Sequence, residues 1–304
     1  MRIVVNGQQA FGKAVLEKLL ERGEDVIAVY GTEDSNGRVD PTVEYARERG
    51  LPVYQPATFK TEEATEGLRA MKPDLGVMAY VTKLVPPSFL NVPTKGTIQY
   101  HPSLLPRHRG PSSINWPIIQ GETRTGLSIF WPDDGLDTGP VLLQKEVEIG
   151  PDDTLGSIYF NHLFPMGVEA MLEAVDLVRD GKAPRIEQDE EKATYESWCK
   201  AEDVEIDWSR PAGDVYNLIR GANPQPGAWT TCNGRKLQIF DARRDGGSGG
   251  PTGSIVATGE DGFTVAAGRG AIFVQRVRPE GGVKIAAREY AAERGLKPGD
   301  ALGG

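Results

Sequence analysis

The feature that most constrains this 304-residue chain is the alternation of short apolar runs with helical segments over its first 80 residues. Residues 2–6 and 25–30 are β-branched runs bounded by turn residues. Between them Phe11, Val15, Leu16, Leu19 and Leu20 recur at helical spacing, and Gly23 is placed to stop the helix. The next stretch repeats the pattern, with residues 43–49 helical, 51–55 a strand, 62–71 a helix and 74–80 a strand. Strands separated by helices of this length predict βαβ units, hence an α/β fold with a doubly wound, Rossmann-like, mostly parallel sheet. A further strand, 97–100, runs into His101, and 127–131 and 141–149 read as two more joined by a polar segment. Asp152 or Asp153 is placed to cap one long helix that continues to about Val178.

Around residues 183–201 the periodicity weakens and charges accumulate, so 186–202 reads as a linker between a domain spanning 1–185 and a second spanning 203–304. The second domain opens with a short helix at 214–220. Strand-like runs at 236–242, 253–257, 262–267 and 271–277 follow, punctuated by glycine, which predicts a small OB-like β-barrel. The Gly-rich loop 245–253 reads as mobile. Trp208 and Trp229 read as core or domain-interface packing.

Composition narrows the function classes. With 39% hydrophobic and 25% charged residues the chain is globular rather than disordered. No apolar run approaches the roughly 18 residues of a membrane span, and the N-terminus lacks a secretory leader pattern. Two cysteines, Cys199 and Cys232, make neither a disulfide framework nor a four-thiolate zinc site, so a reducing, cytoplasmic setting without a membrane partner is expected. The net charge of −9 lies entirely in residues 1–200, because residues 201–304 carry 13 basic and 13 acidic side chains. That balance disfavours non-specific nucleic-acid binding.

The first turn, Gly7-Gln-Gln-Ala-Phe-Gly12, lacks the middle glycine of the dinucleotide fingerprint. Gly7 therefore reads as the strand-to-helix turn and Gly12 as helix packing, with no NAD site. There is no phosphate-binding loop and no metal-ligand spacing.

The chemistry concentrates in residues 97–144. His101 ends a strand at the edge where open α/β sheets place ligands, and Gln99 shares its face while Tyr100 points away. Asp137 lies in the loop Asp133-Asp-Gly-Leu-Asp-Thr-Gly139. A carboxylate there would orient the imidazole as a general base, and the Gln99 amide would donate to an oxyanion on a carbonyl carbon. The competing reading is a structural His and an ordinary Asp-Gly turn. His108 sits between two arginines, and His162 reads as helix packing beside Phe160, Leu163 and Phe164.

His101-Pro-Ser-Leu-Leu-Pro-Arg-His-Arg-Gly110, Ser113-Ile-Asn-Trp116 and Asp134-Gly-Leu-Asp-Thr-Gly139 closely resemble the 10-formyltetrahydrofolate-dependent formyltransferase family. The likeness extends over nearly the whole chain. The GQ-x-x-FG turn, Phe130-Trp131, Asp152-Asp153-Thr154 and Pro226-Gly-Ala-Trp-Thr230 look most like the hydrolase domain of 10-formyltetrahydrofolate dehydrogenase. Arg294-Gly-Leu-Lys-Pro-Gly-Asp300 looks like the C-terminal barrel of methionyl-tRNA formyltransferase. The resemblance implies an Asn–His–Asp triad matching His101 and Asp137, with Gln99 where the amine-formylating members have Asn. It implies 10-formyltetrahydrofolate as formyl donor, without NAD or metal. It also implies a pterin pocket built from the loop of Tyr80, Val81 and Leu84 and from the loop of Asp133, Asp134 and Gly135. Arg109 either meets a folate carboxylate or anchors its own loop.

Three formyl acceptors then compete: water, a small amine and initiator Met-tRNA. The tRNA-formylating relatives carry a basic insertion after the second strand, where residues 31–40 here hold one arginine and three acidic residues. Water or a small amine is therefore expected over tRNA. A folate-binding regulatory protein, disabled by Gln99, is the reading from a different class. No oligomeric state is legible.

Overall fold

The computed structural model describes residues 1–34, 37–247 and 249–303. Ser35 and Asn36 of the 31–40 segment and Ser248 of the Gly-rich loop lie outside the described residues. Contacts divide the chain into two compact units. The first comprises Met1–Gly110, Gly126–Val147 and Asn161–Tyr195, and the second Pro111–Thr125, Glu148–Phe160 and Glu196–Gly304. Each unit is thus assembled from non-contiguous segments.

The first unit follows the expected alternation. β1 (Arg2–Gly7), α1 (Gln9–Glu21), β2 (Asp25–Tyr30), α2 (Pro41–Glu48), β3 (Val53–Tyr54), α3 (Glu62–Ala70), β4 (Leu75–Ala79), the short α4 (Pro87–Leu90) and β5 (Thr97–His101) come in turn. After the short α5 (Asn115–Ile119) come β6 (Arg124–Phe130) and β7 (Val141–Glu148). The sheet order is β3-β2-β1-β4-β5-β6-β7. The pairs from β3 through β5 are parallel, and β6 runs antiparallel to β5. The strand order reverses between β1 and β4, which puts the binding crevice of such a sheet beyond their carboxyl ends.

Two glycines explain the first turn. A Cβ on Gly12 would lie 2.8 Å from the Gly7 carbonyl carbon and 2.7 Å from Thr42 Oγ1, so Gly12 permits α1 to close onto β1. Phe11, Val15, Leu16 and Leu19 on one side of α1 are buried, and Gly23 with φ +74° follows the helix end. β3 is shorter than read from the sequence, because Pro52 and Pro56 flank it and neither can donate to a ladder.

The single long helix expected after Asp153 is instead three pieces. α6 (Leu155–Ile158) passes through a π-helical turn, Tyr159–Leu163, into α7 (Phe164–Arg179). Pro165 has no amide hydrogen to return to the preceding turn, which accounts for the widening. The cap is Thr154 rather than either aspartate. Thr154 and Ser157 form a reciprocal box, while Asp153 accepts from the Gly150 amide at 2.8 Å. His162 and Phe160 on the π-turn are exposed, not packed as expected.

The second unit contains α8 (Ala212–Gly221), β8 (Trp229–Cys232), β9 (Arg235–Asp245), β10 (Ile255–Gly259), β11 (Gly262–Ala266), β12 (Ala271–Pro279), β13 (Ile285–Ala286) and α9 (Ala287–Arg294). Its antiparallel sheet runs β10-β11-β12-β9-β8, with β13 on β12. Leu302 bridges Cys232 of β8 and Ala301 bridges Ser254 ahead of β10, so one segment joins both ends of the sheet as a barrel requires. Trp208 is buried in this core and donates from its indole to Thr230 Oγ1 at 3.0 Å. Segments 111–125 and 148–160 join the same unit. Asn115 donates to the Gly221 carbonyl at 2.9 Å, and Tyr216 donates to Asp152 at 2.8 Å.

Candidate active site

β5 delivers Gln99 and His101 to one face of the first sheet. Tyr100 on the opposite face stacks on Phe11 with ring centroids 4.3 Å apart, fixing the strand against α1. In register, Gln99 lies between Met78 of β4 and Phe130 of β6. Its amide bonds to no other described residue.

His101 is buried, with Nδ1 3.5 Å from Asp137 Oδ2 and Nε2 2.8 Å from the His108 carbonyl. A carbonyl oxygen only accepts, so the contact to His108 is a hydrogen bond when Nε2 is protonated, whereas a ring that donates to Asp137 from Nδ1 leaves Nε2 free to take a proton. Asp137 is also buried, and its Oδ2 accepts from the Gly110 amide at 2.9 Å. The structure thus brings together the histidine and the aspartate singled out from the sequence, 36 residues apart.

Backbone strain gathers here. Of the six non-glycine residues with positive φ among those described, four follow β1, β4, β5 and β6: Gln9 at the start of α1, and Tyr80, His108 and Asp137 on loops. Such conformations cost about 1–3 kcal/mol each and persist where the surroundings over-determine them, which happens at functional sites. Gly139 is obligatory in the Asp137 loop, since a Cβ there would sit 1.8 Å from the Trp131 carbonyl oxygen.

The remaining expected residues are placed as follows. Tyr80 directly follows β4, one strand from His101, and is largely exposed. Val81 packs partly against the apolar cluster that holds Phe59 and Phe89, whereas Leu84 is exposed. Asp133 Oδ1 folds its own loop, accepting from the Gly135 amide at 3.0 Å and Thr138 Oγ1 at 2.5 Å. Asp134 is exposed, and a Cβ on Gly135 would meet Thr138.

Arg109 takes the anchoring position of its two alternatives. Its guanidinium is fully buried and donates to Gln188 Oε1 at 3.1 and 2.8 Å, to both Glu190 oxygens at 2.9 and 2.6 Å, and to the Tyr195 hydroxyl. This bonding holds the Glu190 carboxyl below its ordinary range. Gln188, Glu190, Thr194 and Tyr195 fall in the segment that reads from the sequence as linker, because a contact that spans some 80 residues leaves no local pattern.

At the α1 turn the Gln9 amide donates to Asp40 Oδ2 at 2.8 Å. Asp40 also caps α2 through the Thr42 amide at 2.9 Å. Among the described residues no group of three or more His, Cys, Asp or Glu is arranged to hold a metal, and no helix is long and apolar enough to cross a membrane.

The buried His101–Asp137 pair lies at the end of the doubly wound sheet where such sheets place ligands. Residues 1–175 match the family model described as formyl transferase, and residues 199–295 match that of the formyl transferase C-terminal domain. The chain belongs to the formyl transferase family. It is 43% identical over 245 residues to cytosolic 10-formyltetrahydrofolate dehydrogenase of Xenopus laevis, an alignment covering 79% of this chain and 27% of that one. The chain thus spans about a quarter of the length of the dehydrogenases it matches. It is 39% identical to methionyl-tRNA formyltransferase of Geotalea uraniireducens (strain Rf4), covering 100% of this chain and 98% of the other. In fold it is similar to HypX of Aquifex aeolicus in complex with tetrahydrofolic acid, with a TM-score of 0.70, 20% identity, and coverage of 98% and 48%. It is also similar to an N-formyltransferase of Helicobacter canadensis solved with folinic acid and dTDP-3-aminofucose, with a TM-score of 0.68, 18% identity, and coverage of 90% and 98%.

Proposed function

We propose that this protein takes the formyl group from 10-formyltetrahydrofolate and passes it to water or to a small amine. The observation that carries this reading is the buried His101–Asp137 pair, 3.5 Å apart, within a chain of the formyl transferase family. In this reading His101 removes a proton from the attacking water or amine and returns it to the departing folate nitrogen. Asp137, fixed by the Gly110 amide, orients the ring. The Gln99 amide, which has no other described partner, donates to the oxyanion. The pterin lies against the Tyr80–Leu84 and Asp133–Gly135 loops and reads their backbone groups.

A second reading, formylation of Met-tRNA, is favoured by the full-length match to methionyl-tRNA formyltransferase. Against it stand the acidic 31–40 segment and the even charge of residues 201–304.

The test is tetrahydrofolate release from 10-formyltetrahydrofolate by the pure chain, alone, with candidate amines and with Met-tRNA. Turnover that falls by about 10²-fold or more in His101→Ala and Asp137→Ala supports the mechanism. Gln99→Asn, which moves the amide one methylene back, is expected to change turnover by about tenfold or more. Folate binding with no turnover under any condition would leave the protein a folate-binding regulator and refute the proposal.

A further inference from the structure

Residues 186–195 lie between the two stretches matched by the family models, yet they brace the loops of the acid–base pair from one side. Ile186 forms an antiparallel bridge with Val141. Thr194 accepts the His108 amide on its hydroxyl at 2.8 Å and the Arg109 amide on its carbonyl at 3.0 Å. Gln188 is the residue that reaches the Asp137 loop.

Its orientation is dictated by its neighbours. A guanidinium has donors only, so the atom facing Arg109 Nε and Nη2 at 3.1 and 2.8 Å is Oε1. Nε2 then points the other way and donates to two carbonyls, that of Asp137 at 2.9 Å and that of Gly139 at 2.7 Å. Those bonds pin the backbone on either side of Thr138 while Asp137 holds φ +57°, a conformation that needs outside support. The neighbouring Gly110 amide pins the carboxylate of the same residue. Main chain and side chain of Asp137 are therefore fixed from one source, the Arg109–Gly110 turn, through Gln188 in one case and directly in the other.

We propose that Gln188 is a positioning residue for the acid–base pair, holding the Asp137 loop so that the carboxylate stays against His101 Nδ1. The proposal rests on the reading that His101 and Asp137 do the chemistry. Small displacements of a catalytic group of this kind lower turnover by one to two orders of magnitude.

Gln188→Glu is the informative variant. It keeps an acceptor toward Arg109, so the anchor survives, but presents an acceptor to two carbonyls that need a donor. The expected result is a melting temperature lowered by less than in Gln188→Met, a kcat lower by about tenfold or more, a KM for 10-formyltetrahydrofolate within about threefold, and an altered pH profile of kcat. Gln188→Met removes both contacts and lowers stability and kcat together, whereas Lys192→Ala on the exposed side of the same segment changes neither. The chain has three histidines, so the imidazole ¹⁵N signals of His101 are assigned by their loss in His101→Ala. Displacement of those signals in Gln188→Glu supports the brace even if wild type shows no turnover, a result that would refute the proposed activity alone. A Gln188→Glu chain with unmoved His101 signals, or with wild-type kcat and pH profile, overturns the proposal.

Discussion

Arg109→Met tests which of two roles this arginine plays. The substitution replaces a fully buried guanidinium by an uncharged side chain of similar length that retains most of the aliphatic packing. It removes two hydrogen bonds to Gln188, at 3.1 and 2.8 Å, where bonds from charged groups contribute about 1.5–3 kcal/mol each. Because both end on one oxygen they are not independent, and about 3 kcal/mol is a fair sum. The Glu190 side chain is 66% exposed, so solvent screens its pair with Arg109 and that pair is left out of the sum. At about 2–4 °C per kcal/mol, a loss of about 3 kcal/mol lowers the melting temperature of the first unit by roughly 6–12 °C. Scanning calorimetry measures that shift, and titration calorimetry of the same variant measures folate affinity. If Arg109 clamps a folate carboxylate instead, melting moves by less than about 2 °C while the folate Kd rises about tenfold or more. That pair of results would refute the anchoring argument.

Two further outcomes follow from the same framework. Gly12→Ala places a methyl 2.8 Å from backbone of the β1–α1 turn, so it is expected to lower stability by about 1–3 kcal/mol in denaturant unfolding, whereas Ala at the open position Gly67 avoids that clash. The Glu190 carboxyl is held below its ordinary value of 4.5, chiefly by its hydrogen bond from Arg109. Its contribution to stability is therefore full above that ordinary value and is lost as pH falls through the lowered one. The melting difference between wild type and Glu190→Gln should accordingly shrink on acidification below about pH 4.5, and a difference that grows instead contradicts the sign.

The parts of the molecule legible in the sequence are those written in local periodicity. The apolar spacing of α1 and the β-branched runs of β1, β2 and β4 specify a buried face within a window of a dozen residues. What misled was likewise local. Asp152, Asp153 and Thr154 all have capping side chains, and only the reciprocal bonds of Thr154 with Ser157 decide among them. The break before α7 was announced by Pro165 but masked by the apolar residues on both sides. At the site, His101 and Asp137 stood out as chemistry, whereas their juxtaposition depends on β6 pairing back onto β5, a non-local event. The backbone donor of Gly110 and the carbonyl of His108 carry no side-chain signature at all. Gln188 is less legible still, because its role exists only where three distant loops converge.

The discontinuity of the second unit has a practical and an evolutionary consequence. Its core is not sealed by residues 196–304 alone, because α8 hydrogen-bonds to chain from 111–125 and 148–160. A fragment cut near residue 200 would leave Asn115, Asp152 and Asp153 on the wrong side of the cut and their partners on α8 stranded. The C-terminal half is therefore not a cassette that recombination could exchange at one crossover. Any chimera that exchanged residues 196–304 would have to import the two short segments 111–125 and 148–160 with them, so these three stretches are constrained to diverge together.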